Sequence, residues 1–448
     1  MVSFPFTRQT PLSGWGRFPV LNCVVAEAGT TNEASRPLPV LPSIARGNGR
    51  SYGDSSLAPA YTLATRRLDR ILEFDEAAGS LTCEAGTLLS DIVALFVPRG
   101  WFPAVTPGTK FVTIGGLISS DVHGKNHHVV GSFCDHVASF DLALGDGTVL
   151  HCSRTEHPDL FAAACGGMGL AGIILRVTFT LIPITTSRIE QKIERAPNLE
   201  STMALFEAMG NWTYSVAWVD CLATGPNLGR SVLILGKHAS AEQLNEYDRA
   251  APFHRPSQKS KRVPFDFPQA VLNRVSVRLF NNLYYRLQKP SSKLVDLEPY
   301  FYPLDALLEW NRMYGRRGFV QYQCVLPLDA SRHGLTELLG AIARAGTASF
   351  LTVLKRLGRG SFGHLSFPME GYTLALDFPA RPDVFHLLDR LDAIVEAHGG
   401  RLYLAKDART SARMIEATYP GLAKFREVRR RYGLDKRFRS AQSARLEL

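Results

Sequence analysis

Long apolar runs are what this sequence most plainly lacks. No stretch approaches the roughly 18 residues that a membrane-spanning helix needs, so a soluble protein is expected. The start, Met1-Val-Ser-Phe-Pro-Phe-Thr-Arg8, has no charged segment leading into a continuous apolar stretch; a secretory leader is not evident, and a cytoplasmic location is the expectation. Cysteine is sparse. Seven residues (Cys23, Cys83, Cys134, Cys152, Cys165, Cys221, Cys324) are scattered, odd in number and free of any CxxC pair, which argues against a disulfide framework and against a zinc site. Acidic residues almost vanish from one segment. Between Arg255 and Lys293, nine basic residues (Arg255, Lys259, Lys261, Arg262, Arg274, Arg278, Arg286, Lys289, Lys293) face Asp266 alone, a net of +8 in a chain whose formal charge is +10. Such a patch favours an anionic partner: a phosphorylated ligand, an anionic lipid surface or nucleic acid.

What is present is ordinary globular composition, 45% apolar and 21% charged, over 448 residues, which is long enough for two domains. The first half reads as short strands broken by glycine loops. Leu81–Ala85 and Ala138–Leu144 are strand-like, and the second turns through Gly145-Asp-Gly147 into Thr148–His151, a hairpin signal; apolar spacing predicts a helix over Leu88–Phe96. A linker is expected near Ile182–Ser187. From Gly318 onward six elements come in the order βαββαβ: strands at Val320–Leu326, Ser349–Leu354, Tyr372–Asp377 and Arg401–Ala405, with helices at Leu335–Arg344 and Asp383–His398. That is the split-βαβ, ferredoxin-like arrangement, a sheet with both helices on one face. The whole is α+β. The basic stretch 255–293, rich in Pro, Ser and Lys, reads as a mobile loop or insertion. Within it, Val271–Leu283 has helical spacing, with Leu272, Val275, Leu279 and Leu283 on one side and Arg274 and Arg278 on another; such a helix lies on an anionic membrane or packs on its own protein.

Several motifs compete for the glycines. The run from Ala45 to Ser55 has glycines at 47, 49 and 53, and closely spaced glycines let consecutive N–H groups converge on phosphate oxygens. It suits a pyrophosphate, though a plain surface turn has the same composition. Gly49-Arg-Ser-Tyr-Gly53 also matches the GxSxG nucleophile elbow, but the next residues, Asp54-Ser-Ser-Leu-Ala-Pro-Ala60, hold a proline and no helical periodicity. Gly167-Met-Gly-Leu-Ala-Gly172 fits GxGxxG with the order reversed, helix before and strand after, which argues against a Rossmann site. Pro107–Gly116 offers a second phosphate-wrapping loop. Residues 119–128 then concentrate hydroxyls, Lys125 and the three imidazoles His123, His127 and His128; His123 with His127 has HxxxH spacing, but Gly124 interrupts any helix and no third ligand is adjacent. The aromatic stretch Tyr300, Phe301, Tyr302, Trp310, Tyr314 and Tyr322 reads first as core, with a sugar or flavin face as its other use.

The order of these signals is more specific than any one of them. LSGWGR (12–17), ARGNGRSYGDS (45–55), PGTKFVTIGG (107–116), DVHGKNHHVVGSF (121–133), EWNRMYG (309–315), QYQ (321–323), LSFPMEGY (365–372), GGRLYLAKDARTS (399–411) and ARLEL (444–448) together resemble the vanillyl-alcohol oxidase superfamily, and more closely its decaprenylphosphoryl-β-D-ribose 2′-oxidase family. The resemblance implies a two-domain FAD-binding (PCMH-type) flavin oxidase fold whose substrate domain is the βαββαβ unit. It implies an FAD-binding domain over 1–186, a substrate-binding domain over 187–400 and a C-terminal segment, 401–448, that returns to the first domain. It assigns FAD contacts to Ala45, Arg46, Gly47, Asn48, Gly49, Arg50, Ser51, Tyr52, Gly53, Asp54, Ser55, Gly108, Thr113, Ile114, Gly115, Gly116, Ser120, Asp121, Val122, His123, Ile174 and Tyr403. Covalent members carry histidine at the position of Arg50, and arginine cannot form that bond, so the FAD is expected to be non-covalent.

Over the flavin the resemblance places Tyr52, His123, Lys125, Gln321, Gln323, Lys355 and Lys406, with Thr373 and Ala375 in the sugar pocket, where some members have an amide and a cysteine. The implied reaction is oxidation of a secondary hydroxyl of a polyprenyl-phosphoryl sugar to a ketone, the first half of an epimerisation that a short-chain reductase would complete. Lys406 is the first candidate to orient the hydroxyl and take its proton, with Tyr52 and His123 as rivals. Gln321 and Gln323 would bind sugar hydroxyls, and the basic segment 255–293 would meet the membrane peripherally; no nucleic acid is expected. Two other classes remain: a flavin oxidase of a soluble sugar, alditol or aldonolactone, and a non-catalytic binder that has lost its cofactor.

Overall fold

Ile173–Pro183 is the longest strand of the first half, and its alternation of buried and half-exposed residues makes it the spine of a six-stranded sheet. The computed structural model describes residues 7–39, 41–255, 260–268, 273–347 and 349–448. Strands Ser80–Glu84 and Val137–Ala143 flank the spine antiparallel, and Val149–Ser153 returns beside Val137–Ala143 through the Gly145–Gly147 turn. Gly147 adopts φ +94° there, a left-handed conformation that favours glycine. Leu89–Phe96 is a helix that buries Leu89, Ile92, Val93 and Phe96. Beside this sheet lies a smaller one of four strands, in which Ser43–Arg46 runs parallel to Tyr61–Ala64 and delivers the chain into the glycine run that begins at Gly47.

The chain crosses at 184–187 into Arg188–Ala196 and an eight-stranded sheet. One end of that sheet has the order Thr352–Leu357, Gly371–Pro379, Phe319–Pro327, Arg401–Leu402, the ferredoxin-like order. The period of two decides what each face does. Val320, Tyr322, Cys324 and Leu326 pack with Leu335, Leu338, Leu339, Leu387, Leu388 and Leu391 of helices Leu328–Ala345 and Pro382–Ala397, which leaves Gln321 and Gln323 on the opposite face. Thr373, Ala375 and Asp377 share that second face, since they pair in register with Val325, Gln323 and Gln321.

Four sequence expectations change. The first helix begins at Leu328 rather than Leu335, and Gly334 within it lies against the preceding strand, where a Cβ would meet Leu326 Cδ1 at 2.6 Å. The second strand is Thr352–Leu357, later than Ser349–Leu354. The last strand stops at Leu402, where the backbone turns and Lys406 N–H donates to the Tyr403 carbonyl. The basic stretch 255–293 is not simply a loop: it contains the helix Arg274–Leu287 and the first residues of strand Ser291–Asp296, which forms an edge of the large sheet. Lys259 and Leu272 lie outside the described residues.

That helix is held by Val277, Tyr284 and Tyr285, which pack on the sheet, and by a buried amide. Asn281 is buried and donates from Nδ2 to Asp220 at 2.7 Å, a carboxylate that also accepts from Arg230. Its apolar stripe turns outward: Val275, Leu279, Leu283 and Leu287 are each more than half exposed. After residue 402 the chain leaves the large sheet for helices Ala412–Thr418, Leu422–Arg431 and Ala441–Leu446. These pack against the first half: Arg431 pairs with Asp159, and the fully buried Arg429 donates to the carbonyls of Leu170, Phe438 and Leu448. All seven cysteines are free and buried.

Candidate active site

A cavity of about 620 Å³ runs between the two sheet systems. Its first wall is the glycine run. Gly49 adopts φ +61°, and a Cβ on Gly47 would lie 2.3 Å from Thr113 Oγ1, the hydroxyl that caps the following helix by accepting from Gly116 N–H. Among the described residues no acceptor meets the N–H groups of Gly47, Asn48, Gly49, Arg50 and Ser51. Five consecutive unpaired donors on a cavity wall form an anion cradle, and a diphosphate is the chemistry that fits it. The second wall brings Gly108, around which a Cβ would meet nothing within 4 Å, together with Thr113, Gly115, Gly116, Ser120 and Val122. Arg50 lies with its guanidinium 4.0 Å from the Trp15 ring centre, and its buried Nε has no partner among the described residues. The residues present therefore fit a large, diphosphate-bearing, aromatic cofactor.

The polar chemistry is at the inner end. Gln323 donates from Nε2 to Thr373 Oγ1 at 3.1 Å, and that hydroxyl donates onward to the Cys324 carbonyl at 2.8 Å. The second hydrogen of the same amide points to His123 Nε2 at 3.0 Å, which makes that nitrogen an acceptor and leaves the proton on Nδ1. Nδ1 is buried and has no partner among the described residues. Burial, with the Lys355 charge next in size, holds the His123 imidazole well below its usual range. His127 is spent structurally: its Nδ1 accepts from Gly358 N–H at 3.0 Å and its Nε2 meets Ser132 Oγ at 3.2 Å. His128 Nε2 meets the Trp212 carbonyl at 3.0 Å, and no metal-competent cluster of three ligands occurs among the described residues.

Three lysines converge on this end, and among the described residues no carboxylate lines the cavity. Burial pushes Lys355 down to about 8; burial and then the Lys355 charge push Lys125 down to about 7. Lys125 Nζ donates to the Tyr300 carbonyl and lies 4.4 Å from that ring centre. Lys406 sits 3.8 Å over the Tyr52 ring. Burial depresses it too, while the nearby Asp377 carboxylate opposes that shift. The Tyr52 hydroxyl is pushed well above its usual range by burial and by Asp377.

The structure gathers most of the sequence candidates on this one cavity: Ala45, Gly47, Asn48, Gly49, Arg50, Ser51, Tyr52, Ser55, Ile174 and Tyr403 line it, as do Gln321, Gln323, Lys355, Thr373, Ala375 and Lys406. Five candidates do not. Arg46 turns to Ser56 and the Ser13 carbonyl, Gly53 packs on Asp407 and Ala408, and Asp54 pairs with Arg445 at 2.8 Å. Ile114 is in the core, and Asp121 is buried, accepting from Cys134 N–H and Ser366. These side chains hold the walls rather than form them.

Other lining residues were not expected. Gly169 and Gly172 line the cavity, so the reversed GxGxxG run serves the same pocket from a helix-to-strand turn. Trp218, Phe280, Tyr284 and Phe350 add aromatic surface to it. Their contribution from a strand, a helix and a loop has no local sequence signal. The aromatic stretch 300–322 is core as read, with Tyr300, Phe301 and Trp310 also reaching the cavity.

The glycine cradle, the reversed GxGxxG turn and the lysine-rich inner end, facing each other across two domains' worth of sheet, define an FAD-dependent oxidoreductase, and residues 38–153 match the model of the FAD binding domain family. Over its full length the chain goes further. It is 35% identical to decaprenylphosphoryl-beta-D-ribose oxidase of Mycolicibacterium smegmatis, covering 99% of both chains, and it belongs to that oxidase family. It is also 37% identical to an uncharacterized protein of Streptomyces coelicolor over 76% of this chain and 94% of that one. With L-gulonolactone oxidase of Mus musculus the likeness is 32% identity over 31% of each chain.

Proposed function

We propose that the protein oxidises a secondary hydroxyl of a polyprenyl-phosphoryl sugar, the 2′-hydroxyl of a ribose, to a ketone. The observation that carries this reading is the polarity of the cavity. Its lining offers amides, lysines and an imidazole to a hydroxylated, anionic head group, and the aromatic side chains of Trp218, Phe280, Tyr284 and Phe350 to an apolar tail. An amphiphile matches both. The name of the Mycolicibacterium relative supports the same substrate class.

In this reading residues 1–186 and 401–448 hold FAD and 187–400 hold the substrate. The glycine run, Gly108, Thr113–Gly116, Ser120, Val122, His123, Ile174 and Tyr403 contact the cofactor, without a covalent bond because Arg50 stands where a histidine would be needed. Bound FAD supplies a hydride acceptor. Gln321, Gln323 and Thr373 orient the sugar hydroxyls, Ala375 leaves room beside them, and Lys125 and Lys355 face the negative charge. Lys406, whose affinity for a proton burial lowers, takes the hydroxyl proton; Tyr52, whose hydroxyl is held protonated, packs under it.

The outward apolar stripe of the Arg274–Leu287 helix, bordered by Arg278, Arg286, Lys289 and Lys293, rests on an anionic membrane from which the lipid is drawn. No helix among the described residues is long and apolar enough to cross a membrane. The ketone product calls for a reductase to complete an epimerisation, and a short-chain reductase is the partner we assign to that step.

The deciding experiment is the visible spectrum of the purified protein, followed anaerobically. Bleaching by a polyprenyl-phosphoryl ribose and not by free ribose, alditols or aldonolactones is the expected result. Equal bleaching by free sugars would move the assignment to a soluble-sugar oxidase. Acid precipitation should release all the flavin into the supernatant.

A further inference from the structure

The cavity lining carries Lys125, Lys355, Lys406, Arg50 and His123 but, among the described residues, no carboxylate. Behind the Gln321 side of the lining lies Asp377. Asp377 has no exposed surface; its Oδ1 accepts from Gln321 Nε2 at 2.5 Å, its N–H donates to Ser349 Oγ at 3.1 Å, and its Oδ2 is buried with no partner among the described residues. A buried carboxylate with an unsatisfied oxygen is costly, and such groups persist where a nearby charge compensates them.

We propose that Asp377 is a positioning residue of this site, the counter-ion that stabilises the Lys406 ammonium formed when Lys406 takes the substrate's hydroxyl proton. The inference rests on the proposed role of Lys406 as base. In the step, the O–H bond breaks and an N–H bond forms on Lys406. The electron pair of the adjacent C–H bond leaves as hydride to FAD, so that the alcohol is oxidised and the cofactor reduced.

Placement and charge together single out Asp377 for this lysine. Lys406 lies over Tyr52, and the Asp377 carboxyl is bonded to Gln321, which lines the same cavity. The charges acting with Lys406 are those of Lys355 from strand Thr352–Leu357, His123 from the second loop and Asp377 from strand Gly371–Pro379. Of these groups, Asp377 alone is a carboxylic acid. Lys355 and Lys125 receive no comparable carboxylate among the described residues, and burial alone or another lysine lowers them. Burial raises the Asp377 carboxyl strongly, while the Gln321 donor and the Lys406 charge pull it back. The carboxylate is therefore maintained by the two groups that touch the substrate's space, and it strengthens Lys406 as a base in return.

The test is Asp377→Asn, which keeps the side-chain shape and an oxygen for Gln321. In the FAD-loaded protein, the pH profile of anaerobic flavin reduction should show its acidic limb moved down by about 1 unit or more, because a lysine without its anion deprotonates at lower pH. The plateau rate should fall about ten-fold or more, since the base is weaker. A second measurement needs no turnover: acetic anhydride labelling of Lys406 against pH, read by peptide mass spectrometry, should show its midpoint lowered in the variant. Asp377→Glu should restore both towards wild type.

If Asp377→Asn does not retain FAD, Gln321→Leu should lower the labelling midpoint in the same sense, because the carboxylate loses its donor and protonates more readily. Unchanged midpoints in the pH profile and in the labelling would overturn the proposal. A wild-type flavin that no sugar bleaches would instead sink the substrate reading, while the labelling would still decide the pairing of Asp377 with Lys406.

Discussion

Gln323 and His123, two hundred positions apart in sequence, share a 3.0 Å hydrogen bond that sets the tautomer of the imidazole. The donor assignment comes from Thr373, whose hydroxyl already gives its proton to a backbone carbonyl and must therefore accept from the amide. The large sheet and the loop at 120–128 are joined by that bond, and His123 offers an N–H from Nδ1. Gln323→Leu removes the donor and leaves His123 Nε2 unpaired in a buried site, a loss of about 1–3 kcal/mol. Stopped-flow flavin reduction should slow by roughly ten- to a hundred-fold, with the flavin content of the purified variant unchanged; loss of flavin instead would make the bond structural.

Gly47 is required by contact rather than by conformation. Alanine there would drive its Cβ into the Thr113 hydroxyl and disturb the helix cap. Gly47→Ala should weaken FAD binding by about ten-fold or more, in line with roughly 1–3 kcal/mol for overpacking. Adding Thr113→Ala, which clears Oγ1, should recover part of that affinity. Fluorescence titration of the stripped protein with FAD measures both.

The buried lysines give a pH signature. Lys125 and Lys355 titrate at about 7 and about 8 in the fold, below the ordinary lysine value of about 10.4 in the unfolded chain. Over that window the unfolded state binds more protons, so these two groups penalise folding fully below their folded values and the penalty is relieved as pH rises towards 10. Between pH 8 and 10 the wild-type apoprotein should therefore gain thermal stability relative to a Lys125→Met/Lys355→Met variant, by differential scanning calorimetry. The anionic FAD should narrow the gap most at the low end of the range, where both lysines are charged.

The proposed membrane contact is separable from folding in the Arg274–Leu287 helix, because Asn281, Val277 and Tyr284 anchor it while its leucines face outward. Leu279→Glu/Leu283→Glu should abolish co-sedimentation with anionic vesicles and leave the melting temperature within about 2 °C, as expected for surface substitutions. Wild-type binding should fall steeply with salt, given the flanking basic residues. Salt-insensitive binding, or none, would remove the membrane from the account.

Part of this was legible along the chain because the signal is local. Glycine spacing in 45–55 and 107–116 marks a backbone that must approach a ligand, since absence of a Cβ is written in the residue itself. Alternation in 319–327 and 371–379, with helical spacing between, marks the ferredoxin-like unit. The collinear order of the motifs identified the family. The hairpin at 145–147 and the helix at 89–96 obey the same short-range rules.

Tertiary structure decided what depends on through-space neighbours. Asp377 looks like one more polar residue on a strand until register sets it beside Gln321, on the sheet face that the cavity lies against. The helix 274–287 has the same amphipathic pattern whether its leucines pack inward or face water, and the buried contacts of Asn281 with Asp220, of Val277 with the core and of Tyr284 with Trp218 settle which. Gly334 marks the point where helix and strand touch, which only the packing shows. The basic stretch reads as a loop because its composition is loop-like, yet residues 291–293 begin a strand that an existing sheet edge recruits by backbone hydrogen bonding, which composition does not encode. Chain-local chemistry thus determined the cofactor loops and the fold class, while packing, register and burial determined which of their charges face one another.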